Sequence, residues 1–138
     1  REANNYAVDL CDLQRHAEAK SLLRKQLPVA RRVLGDDDIS TLRMRMTYGR
    51  ALYKDDGATL DDLREAVTTL EEIERTARRV FGGTHPLTRK IEDRLRESRF
   101  ALESGAHEKK DAQLRLLRAR SYLPYAAAAL AAAAYLVM

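Results

Sequence analysis

Leu27-Pro28-Val29-Ala30-Arg31-Arg32-Val33-Leu34-Gly35-Asp36, running into Ser40-Thr41, has a counterpart 47 residues further on. The second copy reads Glu74-Arg75-Thr76-Ala77-Arg78-Arg79-Val80-Phe81-Gly82-Gly83, running into Leu87-Thr88. The shared core is Ala-Arg-Arg-Val-(Leu/Phe)-Gly, with a Thr six residues past the Gly in both copies. Self-similarity at a fixed spacing of a few tens of residues is the mark of stacked repeats, each burying its apolar face against its neighbour. Such architectures present surfaces to other macromolecules, so the expected work is binding.

Outward from these segments the apolar spacing is helical. A first helix is expected over about Ala3 to Leu13, with a turn at Gln14-Arg15-His16. Ala19, Leu22, Leu23, Gln26, Leu27, Ala30 and Val33 then mark one face of a second helix that stops at Gly35. Pro28 lies inside it and predicts a kink near Arg24 to Leu27. Leu42, Met46, Gly49 and Tyr53 line a third helix. Asp36-Asp37-Asp38 before it suits a helix start far better than a cation site, because it lacks the alternating ligands and Glu of a calcium loop. Thr59 with Asp62 reads as a capping box for a fourth helix carrying Leu63, Val67, Leu70, Ile73, Ala77 and Val80. Pro86 suits the first turn of a fifth, which presents Ile91, Leu95, Ser98 and Leu102 and is expected to end at Gly105.

Composition agrees with helices. Charged residues are 33% and aromatics 6%, with three Pro, six Gly and no Trp. The net charge of +4 comes from 25 cations and 21 anions spread along the chain, which reads as a solvated surface. A lone Cys11 leaves no internal disulfide and points to an intracellular setting. The chain starts at Arg1 rather than Met, as expected of a processed product or a piece of something longer, and no N-terminal signal peptide is legible.

The helix pairs resemble tetratricopeptide repeats, in the longer form found in kinesin light chains. Leu34-Gly35-Asp36-Asp37-Asp38-Ile39-Ser40-Thr41 and Phe81-Gly82-Gly83-Thr84-His85-Pro86-Leu87-Thr88 carry that form's closing signature. Asn5-Tyr6-Ala7 and Thr47-Tyr48-Gly49 stand at its Asn-Leu-Ala opening. Ala19 and Ala66, each 16 residues before the closing Gly, fall at the small position where paired helices cross. Three positions depart from the pattern: Gln14 for the turn Gly, Asp9 at a usually apolar place, and Gln26 for a core Ala. The resemblance implies an all-α solenoid of stacked antiparallel helix pairs over residues 1–106, about two and a half units, followed by an additional C-terminal apolar helix.

It also implies a peptide-binding face built from the first helix of each unit. Arg43, Tyr48, Arg50, Tyr53, Arg94 and Arg99 are the candidates to reach it, and a row of Arg favours an acidic segment of a partner protein through charge-assisted bonds. No phosphate loop, nucleophile elbow or metal-spaced cluster of His and Cys is present, so no enzyme activity, cofactor or metal is expected. His16, His85 and His107 are isolated and read as turn or surface residues. Arg31-Arg32 and Arg78-Arg79 lack the aromatic platforms that nucleic-acid binding uses.

The tail changes character twice. Residues 107–121 form a basic connecting helix; residues 122–138 carry no charge, and eight of these seventeen are Ala. Pro124 is expected to break a continuing helix or to open a new one. Seventeen residues reach roughly 25 Å as a helix, against about 30 Å of hydrocarbon. Tyr122, Tyr125, Leu130, Tyr135 and Leu136 would meet the bilayer if the segment inserts, with the repeats on the cytoplasm-like side. Packing on the open end of the repeat stack is the other reading. The function expected is thus a non-catalytic scaffold or adaptor, with membrane tethering by the tail. The alternative is a small accessory subunit of a membrane complex, held mainly by the C-terminal helix.

Overall fold

The computed structural model describes residues 2–137 and contains five helices among them. They are α1 (Glu2–Asp12), α2 (His16–Leu34), α3 (Ile39–Lys54), α4 (Leu60–Phe81) and α5 (Pro86–Val137). The chain divides into two compact units between Glu103 and Ser104. In the first unit, α1 packs on α2, α2 on α3, α3 on α4, and α1 also touches α3. Consecutive helices joined by tight turns pack side by side, and the α1–α3 contact stacks one pair on the next.

The repeated segments owe their likeness to a shared ending. Gly35 and Gly82 sit at φ +92° and +85°, and each amide reaches back 3.0 Å to the carbonyl of Arg31 or Arg78. Only Gly takes that backbone without strain, so both helices stop at the same place in their pattern. Three of the four Arg in these pairs meet carboxylates. Arg31 bonds Asp36 at 2.6 Å, Arg79 bonds Asp37 at 2.9 Å, and Arg78 meets Glu74 and Glu92. The third Asp, Asp38, caps α3 by accepting from the Ser40 amide at 2.8 Å. Thr59 and Asp62 form the reciprocal capping box of α4, at 3.1 Å in each direction.

The α3 helix is the centre of the first unit. Between Thr41 and Tyr53 only Arg43 is exposed and Arg50 half-buried. A helix with neighbours on both sides hides more than one stripe, which explains buried polar groups such as Thr41, Arg45 and Thr47 beside Leu42 and Leu52. Ala19 and Ala66 are fully buried. Gln14, at the position where the resembled pattern has Gly, takes φ +63° in the tight turn between α1 and α2. Asp9 is exposed and Gln26 half-buried, so neither departure puts a full charge in the core.

Pro28 lies inside α2, which is one helical span. Two expectations are corrected. First, Gly105 does not end the fifth helix: α5 passes through it and through Pro124 as one helix of 52 residues. Gly105 has no positive φ, unlike Gly35 and Gly82, and the residues on both sides are strong helix formers that outweigh one Gly and one Pro. The expected additional apolar helix is therefore the last part of α5. Second, no helix among the described residues is long and apolar enough to cross a membrane. The apolar run depends on Ala, whose methyl group contributes little transfer free energy, and the Arg-rich stretch before it shortens the usable span. Met138, part of that expected span, lies outside the described residues, as does Arg1.

Candidate binding groove

The first helices of successive pairs come together around a groove of about 420 Å³. α1 supplies Asn4 and Val8, α3 supplies Ile39, Arg43, Met46 and Thr47, and the start of α5 supplies Pro86, Leu87 and Lys90. The floor is apolar: Met46 and Leu87 are buried. Two cations stand on it. Arg43 and Lys90 are exposed and, among the described residues, neither has an ion-pair partner. Among the described residues, no carboxylate lines the groove.

Local bonds hold this surface in shape. The Thr47 hydroxyl lies 3.1 Å from Asn4 Oδ1 and 3.0 Å from the Arg43 carbonyl, so its single proton ties α3 either to α1 or to its own preceding turn. His85 opens α5. Its Nδ1 accepts the Leu87 amide at 3.1 Å, and its ring stacks on Phe81 with centroids 4.9 Å apart. That is the turn role expected of it. His107 is exposed, whereas His16 is buried at the start of α2 and its Nδ1 has no partner among the described residues.

The six residues proposed from sequence do not converge. Arg43 alone lies in the groove. Tyr48 faces the α2–α4 side, where its buried hydroxyl accepts from Arg24 Nε at 2.8 Å and donates to Glu65 at 2.6 Å. Burial and the Glu65 bond raise its pKa above the ordinary phenol value. Arg50 bonds Asp12 at 2.7 Å. Tyr53 is buried between α3 and α5 and donates to Glu97 at 2.7 Å; burial, then Glu97 itself, pushes the hydroxyl well above its usual range. Burial works against the Glu97 carboxylate, but the Tyr53 hydroxyl, Arg94 and Lys54 together hold its pKa below the ordinary value. Arg94 meets that same Glu97 at 3.3 Å. Arg99 bonds Glu71 at 2.8 Å.

Five of the six are thus committed to intramolecular partners. Sequence reasoning overlooked Lys90 and Asn4, because it followed Arg and Tyr along each helix and could not see that the first turn of α5 joins α1 and α3. A larger hollow of about 540 Å³ is lined by Arg24, Leu27, Pro28, Arg31, Arg32 and Tyr48. Most of its polar ends are already engaged, by Glu65 and Asp36.

The tail residues named for membrane contact, Tyr122, Tyr125, Leu130, Tyr135 and Leu136, are all exposed on α5. They lie on several sides of the helix and form no single face.

No curated protein and no solved structure matches the chain. A family model does match, over residues 2–57, and its description is Tetratricopeptide repeat. Those residues hold α1, α2 and α3, and α1 and α3 supply Asn4, Val8, Ile39, Arg43, Met46 and Thr47 of the groove; the match supports a tetratricopeptide-repeat protein.

Proposed function

We propose that the chain is a non-catalytic scaffold that binds a protein partner, and that its groove takes an acidic segment carrying apolar side chains. The repeats are of the kinesin-light-chain-like form, and a single buried Cys11 fits work inside the cell. The observation that carries this reading is the groove itself: an apolar floor under two cations with, among the described residues, no ion-pair partner for either and no carboxylate in the lining. Carboxylates meeting Arg43 and Lys90 would form charge-assisted bonds, and aliphatic side chains would cover Val8, Ile39 and Met46.

The test is a fluorescence-anisotropy titration of a dye-labelled peptide of alternating Glu and Leu. Binding should weaken as salt is raised. The double variant Arg43→Ala, Lys90→Ala should lose on the order of 10- to 100-fold in affinity, with charged hydrogen bonds worth about 1.5–3 kcal/mol each before solvent screening. Binding that ignores both substitutions would place the peptide elsewhere and end the proposal.

A further inference from the structure

From Ala106 to Val137 every residue of α5 is exposed. Within that stretch Leu116, Leu123, Leu130 and Val137 recur at intervals of seven and are between 63% and 89% exposed. Ala112, Ala119, Ala126 and Ala133 recur at the same interval, four residues ahead of each large side chain. Apolar positions alternating by three and four over this length are the pattern of a two-helix seam. The seam is unbroken only because α5 is continuous through Pro124, and Pro124 falls beside the seam rather than in it.

We infer that residues 112–137 of α5 pair antiparallel with the same segment of a second copy of this chain. Two features select the occupant and its direction. The first is size. Run antiparallel, the seam sets Ala112 against Val137, Leu116 against Ala133, Ala119 against Leu130, and Leu123 against Ala126. Every layer then holds one large and one small side chain, which fills space evenly. Run parallel, it would stack Leu on Leu and Ala on Ala in alternate layers.

The second feature is charge. Arg115 and Arg120 flank the seam, and in a parallel pair Arg115 of each copy would face Arg120 of the other. Antiparallel pairing puts both beside the uncharged half of the partner, where their aliphatic stems cover Leu136 and Ala127. Like charges are thereby kept apart, and the parallel alternative is disfavoured. A sequence-matched second copy supplies the size complement and an uncharged surface beside the Arg side chains.

The experiment measures mass by sedimentation velocity on the full chain over a range of concentrations. The expected species is a dimer of twice the chain's 15.7 kDa. Leu123→Lys should return it to the monomer mass, whereas Ala128→Lys, the same charge on the opposite side of the helix, should leave the dimer. Both sites are exposed, so neither change threatens the folded repeats. Direction is read by disulfide formation under mild oxidation. Ala112→Cys alone should not crosslink, since 25 residues of helix separate the two copies of that site by roughly 38 Å. Ala112→Cys with Val137→Cys should crosslink. The inference is overturned by a monomer at every concentration, by a dimer indifferent to Leu123→Lys, by crosslinking through Ala112→Cys alone, or by a monomer that instead floats with phosphatidylcholine vesicles.

Discussion

Gly49 of α3 lies close against Leu70 of α4, and adding one methyl group there separates two opposing effects. A Cβ on Gly49 would lie 3.0 Å from Leu70 Cγ and 3.2 Å from both of its Cδ atoms. Carbon contacts prefer about 3.5–4.0 Å, and Leu70 is fully buried with no room to retreat. Overpacking of this kind costs about 1–3 kcal/mol. Against it stands the gain of about 1 kcal/mol from replacing a helical Gly by Ala. The net expectation for Gly49→Ala runs from about neutral to a loss of about 2 kcal/mol, up to about 8–16 °C in Tm for a unit of this size.

The test that isolates the contact is a double-mutant cycle. Leu70→Ala alone should cost about 2–5 kcal/mol. Introducing Gly49→Ala into that background should then stabilise by about 1 kcal/mol, because the clash has gone while the propensity gain remains. Urea melts followed by far-UV circular dichroism measure all four corners, and the coupling should be about 1–3 kcal/mol. The reasoning fails if Gly49→Ala stabilises equally in both backgrounds, since the α3–α4 approach would then not be limited by Leu70.

Three further expectations concern stability. Gln14→Gly removes the strain of φ +63° from an exposed turn residue; after the extra entropy lost by Gly, a gain of about 0.5–1 kcal/mol should appear in thermal melts. Ala66→Leu at the fully buried crossing should cost about 1–3 kcal/mol, while Ala17→Leu on the exposed face of α2 should stay within about 0.5 kcal/mol; equal melting points would remove the helix-crossing assignment. His16 is held below its ordinary pKa of 6.5, first by burial and then by Arg50. The unfolded chain therefore binds its proton at higher pH than the folded one, so this contribution to stability is complete above about 6.5 and declines as pH falls below it; His16→Gln should flatten that part of a pH-stability curve, and an unchanged slope would exclude His16 as its source.

By itself the sequence determined the elements that depend on local chemistry. Gly35 and Gly82 end their helices because no side chain tolerates that backbone well, and Thr59 with Asp62 starts α4 because the cap is made within four residues. The 47-residue echo made the stacking of helix pairs legible, since a repeated amphipathic pair must bury its face on its neighbour.

What the sequence left open depended on neighbours that no spacing rule contains. Whether Gly105 and Pro124 stop α5 is a balance summed over the whole helix, and the surrounding helix formers prevail. Which cations face a ligand was likewise a tertiary matter. Arg50, Arg94 and Arg99 each find a carboxylate from another turn or helix, Tyr48 and Tyr53 are turned inward to Glu65 and Glu97, and Arg43 is joined by Lys90 only because the start of α5 packs beside α1 and α3. Helical periodicity assigns a residue to a face; only the packed structure decides what that face meets.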